Sequence, residues 1–237
     1  MKEGRHTIRS HGVSLTGSAA ALIVPLLVAG VACGTAPPPQ TSAPFPSFTL
    51  PPAWTPTADF AGGFVEGWTR FTGNGIELML PSSYEGGDPA ALAQELLELL
   101  DESPASASIA EAMRQNPTGY RLIAIDRGND SIVAVTVRDV PAEVSMTEYI
   151  DAVAAAIVEQ TPGASVLQKG VVPFRQGEAG WVLLEFVLVE EVSWQLSYGV
   201  RQGDQVWNFD YAGAREDYPQ LQPIFDQSLQ TVSFLGG

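Results

Sequence analysis

Apolar and polar positions in the first half of the chain predict short strands separated by helices. Apolar runs at residues 68–71 and 76–80 indicate two strands joined by a turn that contains glycine. Asp88 and Pro89 are typical of a helix start, and the leucines that follow them recur at helical spacing. We therefore expect one helix from Asp88 and a second, short helix that ends at Asn116.

The middle of the chain predicts a β-hairpin followed by an amphipathic helix. Residues 120–126 and 132–138 are rich in β-branched and apolar side chains, and the turn between them contains glycine and asparagine. Ser145 and Glu148 have the spacing of a capping box, and apolar side chains after them form one stripe. Pro162 ends the predicted helix.

Strand periodicity returns in the last third of the chain. Residues 181–189 are apolar on both faces, which predicts a central strand. The strands that follow place aromatic side chains on one face, before a last helix and a short run at residues 232–234. Because the connections are short, the prediction is an α+β fold whose mostly antiparallel sheet is flanked by helices.

Residues 1–32 have the layout of an export signal. Basic residues outnumber the single acidic one, and an uncharged stretch at residues 19–32 leads directly into Cys33. As a helix this stretch would span about 21 Å. The hydrocarbon core of a bilayer is about 30 Å thick, so an export signal is favoured over a permanent transmembrane anchor.

Cys33 is the only cysteine of the chain, which excludes an internal disulfide. The small residues at positions 30–32 resemble the lipobox of bacterial lipoproteins, although Gly30 stands where that motif usually has a large aliphatic residue. Cleavage by an ordinary signal peptidase is the alternative. We expect Cys33 to carry a lipid that holds an extracytoplasmic protein on the membrane.

A proline-rich segment follows the predicted lipidation site at Cys33. Eight of the residues from 34 to 62 are proline, and Asp59 is their only charge. Such a segment stays extended and reaches about 90 Å at most, so residues 33–62 are predicted to be a tether. Trp54 and Phe60 are expected to dock on the domain, or the segment is a peptide-like recognition sequence. Residues 63–237 are long enough to form a single domain with a full core.

Charge limits the class of partner. The chain has a net charge of −15 over 237 residues, and −17 remains once residues 1–32 are removed, because three basic residues and one acidic residue lie there. Lys169 is the only lysine after Lys2. This charge disfavours binding to nucleic acid. The predicted partners are the membrane, through the lipid, and an envelope protein or ligand that the sequence does not identify.

The sequence lacks the residues of most catalytic sites. Both histidines, His6 and His11, lie in the predicted export signal. Histidine-based and thiol catalysis and ordinary zinc sites are therefore disfavoured, and no phosphate-binding loop follows a strand. Residues 126–130 favour a plain hairpin turn over a Ca²⁺ loop. We predict no cofactor, no metal and no enzyme activity; a hydrolase that uses two carboxylates, or a small-molecule carrier, is the alternative.

A few side chains stand out as candidates for ligand binding. Glu185 interrupts the apolar strand, so its carboxylate either has a perturbed pKa or faces solvent or an arginine such as Arg138 or Arg201. The aromatic residues of the last strands line a carbohydrate or peptide groove if they are exposed, and belong to the core otherwise. The ligand-binding candidates are Glu185, Trp194, Tyr198 and Trp207.

Both ends of the predicted domain resemble one family. Trp68, Phe71 and residues 75–81 resemble the opening signature of the PsbP-like and LpqN-type lipoprotein domains that share the Mog-type fold. Phe225, Ser228 and residues 232–234 resemble their closing helix and terminus. The chain departs from the pattern in Ser83-Tyr84, where tryptophan is frequent, and in an acidic helical insert at residues 88–115. The resemblance implies an α/β/α sandwich that acts as an accessory or binding domain, with no shared catalytic residues.

The lipid anchor leads to the first testable prediction. The variant Cys33→Ala has no thiol for lipidation, so we expect it to move from the membrane fraction to the soluble or medium fraction. Fractionation of cells that express each form, followed by immunoblotting, measures the shift. Equal retention of both forms in the membrane fraction would contradict lipidation.

Overall fold

A computed structural model describes residues 65–101, 106–175, 177–187 and 192–235. The predictions for Cys33, the export signal and the tether lie outside these residues. The strands are β1 (Trp68–Gly73), β2 (Ile76–Pro81), β3 (Tyr84–Gly87), β4 (Tyr120–Asp126), β5 (Ser131–Asp139), β6 (Ala164–Phe174), β7 (Gly177–Val187), β8 (Val192–Gln202), β9 (Gln205–Ala214) and β10 (Ser233–Phe234). The α-helices are α1 (Ala93–Asp101), α2 (Ala107–Gln115), α3 (Met146–Gln160) and α4 (Tyr218–Thr231). Within the described ranges, no helix is long and apolar enough to cross a bilayer.

The strands form a large and a small antiparallel sheet. The large sheet has the order β3-β4-β5-β9-β8-β7-β6, and the small sheet has the order β1-β2-β10. Each strand pair in the described residues is antiparallel, as the short connections predict. The predicted hairpin of residues 120–138 is confirmed as β4 and β5.

Both faces of the large sheet are covered. Helices α1 and α2 pack over β4 and β5, and α3 packs over β6, β7 and β8, on one face. Helix α4 and the small sheet cover the other face, where the largest apolar cluster lies. The layers confirm the predicted α+β fold, and coverage on both faces explains why most of β7 is apolar on both sides.

The capping box predicted for α3 is present. The Ser145 hydroxyl accepts a hydrogen bond from the Glu148 backbone N–H at 3.2 Å, and the Glu148 carboxylate accepts one from the Ser145 backbone N–H at 2.9 Å. These bonds satisfy two donors that the first helical turn leaves unpaired. The bonds from Ser145 also lower the pKa of Glu148, because they favour its charged form.

Helix α3 lies close to the sheet because β7 carries a glycine beneath it. A Cβ atom at Gly180 would stand 2.3 Å from Cγ1 of Ile150 and 3.1 Å from Cε of Met146. Real side chains do not approach this closely, so a larger residue would push the helix away from the sheet. Gly180 therefore sets the distance between α3 and β7.

The structure corrects the predicted start of α1 and adds two strands. Asp88 begins a turn, in which its carboxylate accepts from the Ala90 N–H at 2.9 Å, and α1 itself begins at Ala93. Strand β3 was not predicted, because Gly86 and Gly87 have low strand propensity.

Strand β6 was also not predicted, because it forms an edge of the described sheet and shows no clean alternation. The register shifts between Val166 and Gln168, as in a β-bulge. Lys169 extends toward α3, where its ammonium lies 2.6 Å from the Asp151 carboxylate. Pro173 lies near the end of the strand and is exposed. Edge strands commonly carry such features.

The close approach of α3 leads to a stability prediction. The variant Gly180→Ala should lower the free energy of unfolding by about 1–3 kcal/mol, because the added methyl group overpacks the contact with Ile150. Gly177→Ala is the matched control, since its nearest atom would be 4.0 Å away, and it should be neutral or slightly stabilising. Denaturant unfolding measures both variants. Equal effects of the two substitutions would contradict the packing argument.

Candidate functional site

The helix-covered face of the large sheet is not apolar throughout. One apolar cluster lies under α1 and α2 and another under α3, and polar side chains occupy the strands between them. Cross-strand pairing places Asp210 opposite Ser197 and Asn208 opposite Thr136, so these side chains share a face. We call the cleft above them the Asp210 cleft. The Asp210 cleft is lined by Thr136, Arg138, Tyr149, Ile150, Val153, Ser197, Tyr198, Gly199, Asn208 and Asp210.

Asp210 is held by two neutral side chains of β8. The Ser197 hydroxyl donates to Oδ1 of Asp210 at 2.5 Å, and Nε2 of Gln195 donates to the same oxygen at 3.1 Å. The Gln195 amide also donates to the Ser197 hydroxyl at 2.9 Å. The three side chains form one network on the floor of the cleft, and each hydrogen bond described for Asp210 ends on Oδ1.

Burial dominates the electrostatics of the Asp210 carboxyl. Its pKa is raised because burial disfavours the charged form. The hydrogen bond from Ser197, the charge of Arg138 and the hydrogen bond from Gln195 each lower it, but together they do not offset burial. The surrounding protein therefore compensates the Asp210 charge only in part.

Two tyrosine hydroxyls belong to the same region. The hydroxyl of Tyr149, on α3, donates to the Asn208 side chain at 2.8 Å. Tyr120 lies opposite Thr136, is 2 % exposed, and its hydroxyl has no hydrogen-bond partner among the described residues. Burial raises the pKa of Tyr120, and the charge of Asp210 raises it further.

A second, partly buried carboxyl lies on the opposite face of the sheet. The Tyr198 hydroxyl donates to Asp226 of α4 at 2.6 Å, and burial raises the pKa of Asp226 above its ordinary value. The Tyr218 hydroxyl is buried nearby and has no partner within the described residues. The Tyr218 ring meets the edge of Trp194 at a centroid distance of 5.0 Å. Each face of the sheet thus contains one partly buried carboxyl with a raised pKa and one buried tyrosine hydroxyl that has no partner among the described residues.

Glu185 pairs with an arginine other than the two proposed from the sequence. Its carboxylate accepts from the Trp194 indole N–H at 3.0 Å and lies 3.9 Å from Arg215. Arg201 instead donates to backbone carbonyls before α3, at Val140 and Val144, and Arg138 lines the Asp210 cleft. Arg215 comes close because the turn after β9 returns it to the start of β8, where its N–H bonds the carbonyl of residue 192 at 3.0 Å.

The aromatic candidates are core residues. Trp194, Tyr198 and Trp207 are between 2 % and 9 % exposed and lie in the largest apolar cluster. Trp207 packs against Phe234 at a centroid distance of 5.3 Å, away from the other two. Glu185 contacts Trp194, and Trp194 and Tyr198 contact residues of α4, but the aromatic rings do not line an exposed groove. Their alternation along the strands is explained by packing in the core.

The loop considered for Ca²⁺ has the contacts of a hairpin turn. The Asp126 carboxylate accepts from the Gly128 N–H at 2.9 Å, and the Asn129 side chain accepts from the Ser131 N–H at 3.0 Å. Across the ranges that the structure describes, no group of three or more His, Cys, Asp and Glu residues is placed to hold a metal ion.

The Asp210 cleft was not predicted from the sequence. Its signal was the alternation of polar residues between the aromatic ones, at Gln195 and Ser197 and again at Asn208 and Asp210. A strand with one polar and one aromatic face normally turns the polar face toward solvent. Only the packing of α3 and of the α1–α2 pair over the same face shows that these side chains are fully or partly buried.

Comparison with known proteins supports the architecture. No family model and no curated protein sequence matches the chain. Among solved structures, cyanobacterial PsbP (CyanoP) from Synechocystis superposes with a TM-score of 0.51 at 12 % identity, over 73 % of this chain and 96 % of its own. The domain has a PsbP-like fold. At this identity the similarity concerns the fold alone.

Two further solved structures superpose with lower scores. LpqN of Mycobacterium tuberculosis, described as involved in cell envelope biogenesis, superposes with a TM-score of 0.44 at 9 % identity, over 71 % of this chain and 91 % of its own. The Ran-binding protein Mog1p of Saccharomyces cerevisiae gives 0.45 at 11 % identity, over 68 % of this chain and 90 % of its own.

The buried carboxyls give a prediction about pH. Because the folded-state pKa of Asp226 is raised, the native state holds the proton more tightly than the unfolded chain does. Ionisation therefore opposes folding, and stability falls as the pH rises through the folded-state pKa. The variant Asp226→Asn cannot ionise, so we expect a higher Tm than wild type at pH 7 and a smaller difference as the pH is lowered toward 4.

Asp139→Asn is the matched control for this measurement. Asp139 also accepts a side-chain hydrogen bond, from Gln205 at 3.1 Å, but it is exposed. Thermal unfolding followed by circular dichroism over the pH range compares the three proteins. A difference for Asp226→Asn that does not change with pH would contradict the assigned cause.

Proposed function

We propose that this chain is an extracytoplasmic lipoprotein, held on the membrane by a lipid on Cys33, whose PsbP-like domain is a non-catalytic binding or accessory module of the cell envelope. The export signal and the proline-rich segment supply the location and the reach. The domain supplies the surface that meets the partner.

The observation that carries the non-catalytic part is the separation of the two partly buried carboxyls with raised pKa. Asp210 lies on the face covered by α3, and Asp226 contacts Tyr198 on the face covered by α4. A glycosidase needs its two carboxyl groups about 5–10 Å apart on either side of one bond. Because the sheet lies between Asp210 and Asp226, these two groups do not flank one substrate.

Two other acidic residues that are at least partly buried have side-chain partners as well. Glu185 accepts from Trp194, and Asp126 accepts from the Ser83 hydroxyl at 2.7 Å. Groups held in this way support a structural or recognition role more than proton transfer. The Asp210 cleft also differs from a carrier site, because its enclosed volume is about 10 Å³ and carrier pockets have about 300 Å³ or more.

The charge of the mature chain supports a protein or small-molecule partner in the envelope. A net charge of −17 after residue 32 keeps the domain away from anionic lipid surfaces and from nucleic acid. The tether of residues 33–62 then lets the domain act at up to about 90 Å from the anchored end.

Proximity labelling on intact cells tests the proposal. A labelling enzyme fused to the C-terminus of the full chain should enrich a reproducible set of envelope proteins, identified by mass spectrometry. The matched control joins residues 1–62 directly to the same enzyme, so that anchor and tether are present without the domain.

The comparison isolates the contribution of the domain. Proteins that are enriched only with the full chain are its partners, and we expect at least one. Identical sets for the two fusions would contradict a binding function for the domain, while leaving the lipid anchor to be tested by Cys33→Ala.

A further inference from the structure

We propose that the Asp210 cleft binds a primary ammonium group on an aliphatic stem, as in a lysine side chain or a free alkylamine. This inference deepens the proposed binding function by naming the chemistry of the group that the domain recognises. It rests on the acceptors, the size and the walls of the cleft.

The first support is the second carboxylate oxygen of Asp210, which can still accept a hydrogen bond. Both hydrogen bonds described for Asp210 end on Oδ1 and come from the neutral side chains of Ser197 and Gln195. Oδ2 accepts no hydrogen bond in the described part of the chain. A carboxylate oxygen at the floor of a partly buried cleft is a strong acceptor for a charged N–H donor.

The second support is a further acceptor in the lining of the cleft. The Asn208 side-chain oxygen accepts one hydrogen bond, from the Tyr149 hydroxyl at 2.8 Å, and an amide oxygen has a second lone pair. An ammonium group has three N–H donors, so one group bonds the Asp210 carboxylate and still has a donor for the Asn208 side-chain oxygen.

The size of the cleft selects the kind of cation. Its enclosed volume is about 10 Å³, which is about the space of one water molecule. An ammonium group is close to water in size, whereas a guanidinium is a larger, planar group with a fixed fork of donors. The cleft therefore fits the end of a lysine better than the end of an arginine.

The walls suit the stem that carries the ammonium. Ile150 and Val153, both on α3, line the cleft beside the polar floor. Lysine-type side chains commonly place their methylene groups along apolar surface while the charged end reaches a polar partner. The combination of apolar wall and carboxylate floor matches both parts of an alkylammonium.

The positive charge of Arg138 does not fully compensate the Asp210 carboxylate. It lines the cleft, and its charge lowers the pKa of Asp210. Burial nevertheless has the larger effect on Asp210, so a second positive group that donates hydrogen bonds is still stabilised there. Arg138 also limits the site to a single added charge, because further cations would meet its repulsion.

An NMR titration tests the inference. The ¹⁵N-labelled, purified full-length chain is titrated with n-butylammonium at constant ionic strength, and the backbone amides of Ser197, Asn208 and Asp210 are followed. We expect saturable shifts centred on these residues. The variant Asp210→Asn should weaken binding about tenfold or more, because a charge-assisted hydrogen bond is lost.

Two matched controls separate the cleft from general electrostatics. Asp226→Asn removes a partly buried carboxyl on the opposite face and should leave the affinity unchanged. The probe n-butyltrimethylammonium has the same charge and stem but no N–H donor, and it should not shift the cleft amides.

The outcomes distinguish this inference from the proposed function. Unchanged affinity in Asp210→Asn, or equal binding of the trimethylated probe, would overturn the ammonium site. Neither result affects partners found by proximity labelling. If the site binds n-butylammonium, tighter binding of Nα-acetyl-lysine methylamide than of cadaverine assigns a protein side chain as its source, and the reverse order assigns a free diamine.

Discussion

Coverage of the large sheet on both faces is the constraint from which most of this structure follows. Strands β8 and β9 lie near the middle of the sheet and have helices or the small sheet above and below them. Each side chain on these strands must therefore pack or find a hydrogen-bond partner away from bulk water. The aromatic residues meet this requirement on the α4 face through ring contacts such as that of Trp194 with Tyr218.

The same constraint accounts for the polar network on the other face. Asp210 and Ser197 are opposite each other, and their hydrogen bond satisfies two groups that would be costly to bury alone. The network lies between the apolar cluster under α1 and α2 and the cluster under α3. A cleft between two helical layers of this kind needs no change in the sheet itself.

Local signals in the sequence predicted the elements that depend on short-range chemistry. The capping box at Ser145 and the hairpin of residues 120–138 were both correct, because a few adjacent residues determine each of them. The start of α1 was placed too early, since Asp88 has the side chain of a helix cap but uses it in a preceding turn. Such a turn and a cap share the same residue preferences.

The features that the sequence did not predict depend on packing between residues far apart in the chain. Asn208 and Asp210 have the spacing of a solvent-facing strand edge, and only the position of α3 buries them. Glu185 was identified as unusual, but its partner Arg215 is 30 positions away and is brought close by the path of the chain after β9. The alternation of aromatic residues was compatible with either a core or an exposed groove. Trp194 and Tyr198 belong to the core because α4 covers them.

The edge position of strand β6 has a consequence for the membrane-anchored protein that we propose. Molecules confined to a membrane plane meet one another far more often than molecules in solution, and an unprotected sheet edge is a template for side-by-side assembly. The bulge at residues 166–168, the ion pair of Lys169 and the exposed Pro173 interrupt the regular row of donors and acceptors that such assembly requires. These features therefore disfavour edge-to-edge pairing of neighbouring copies.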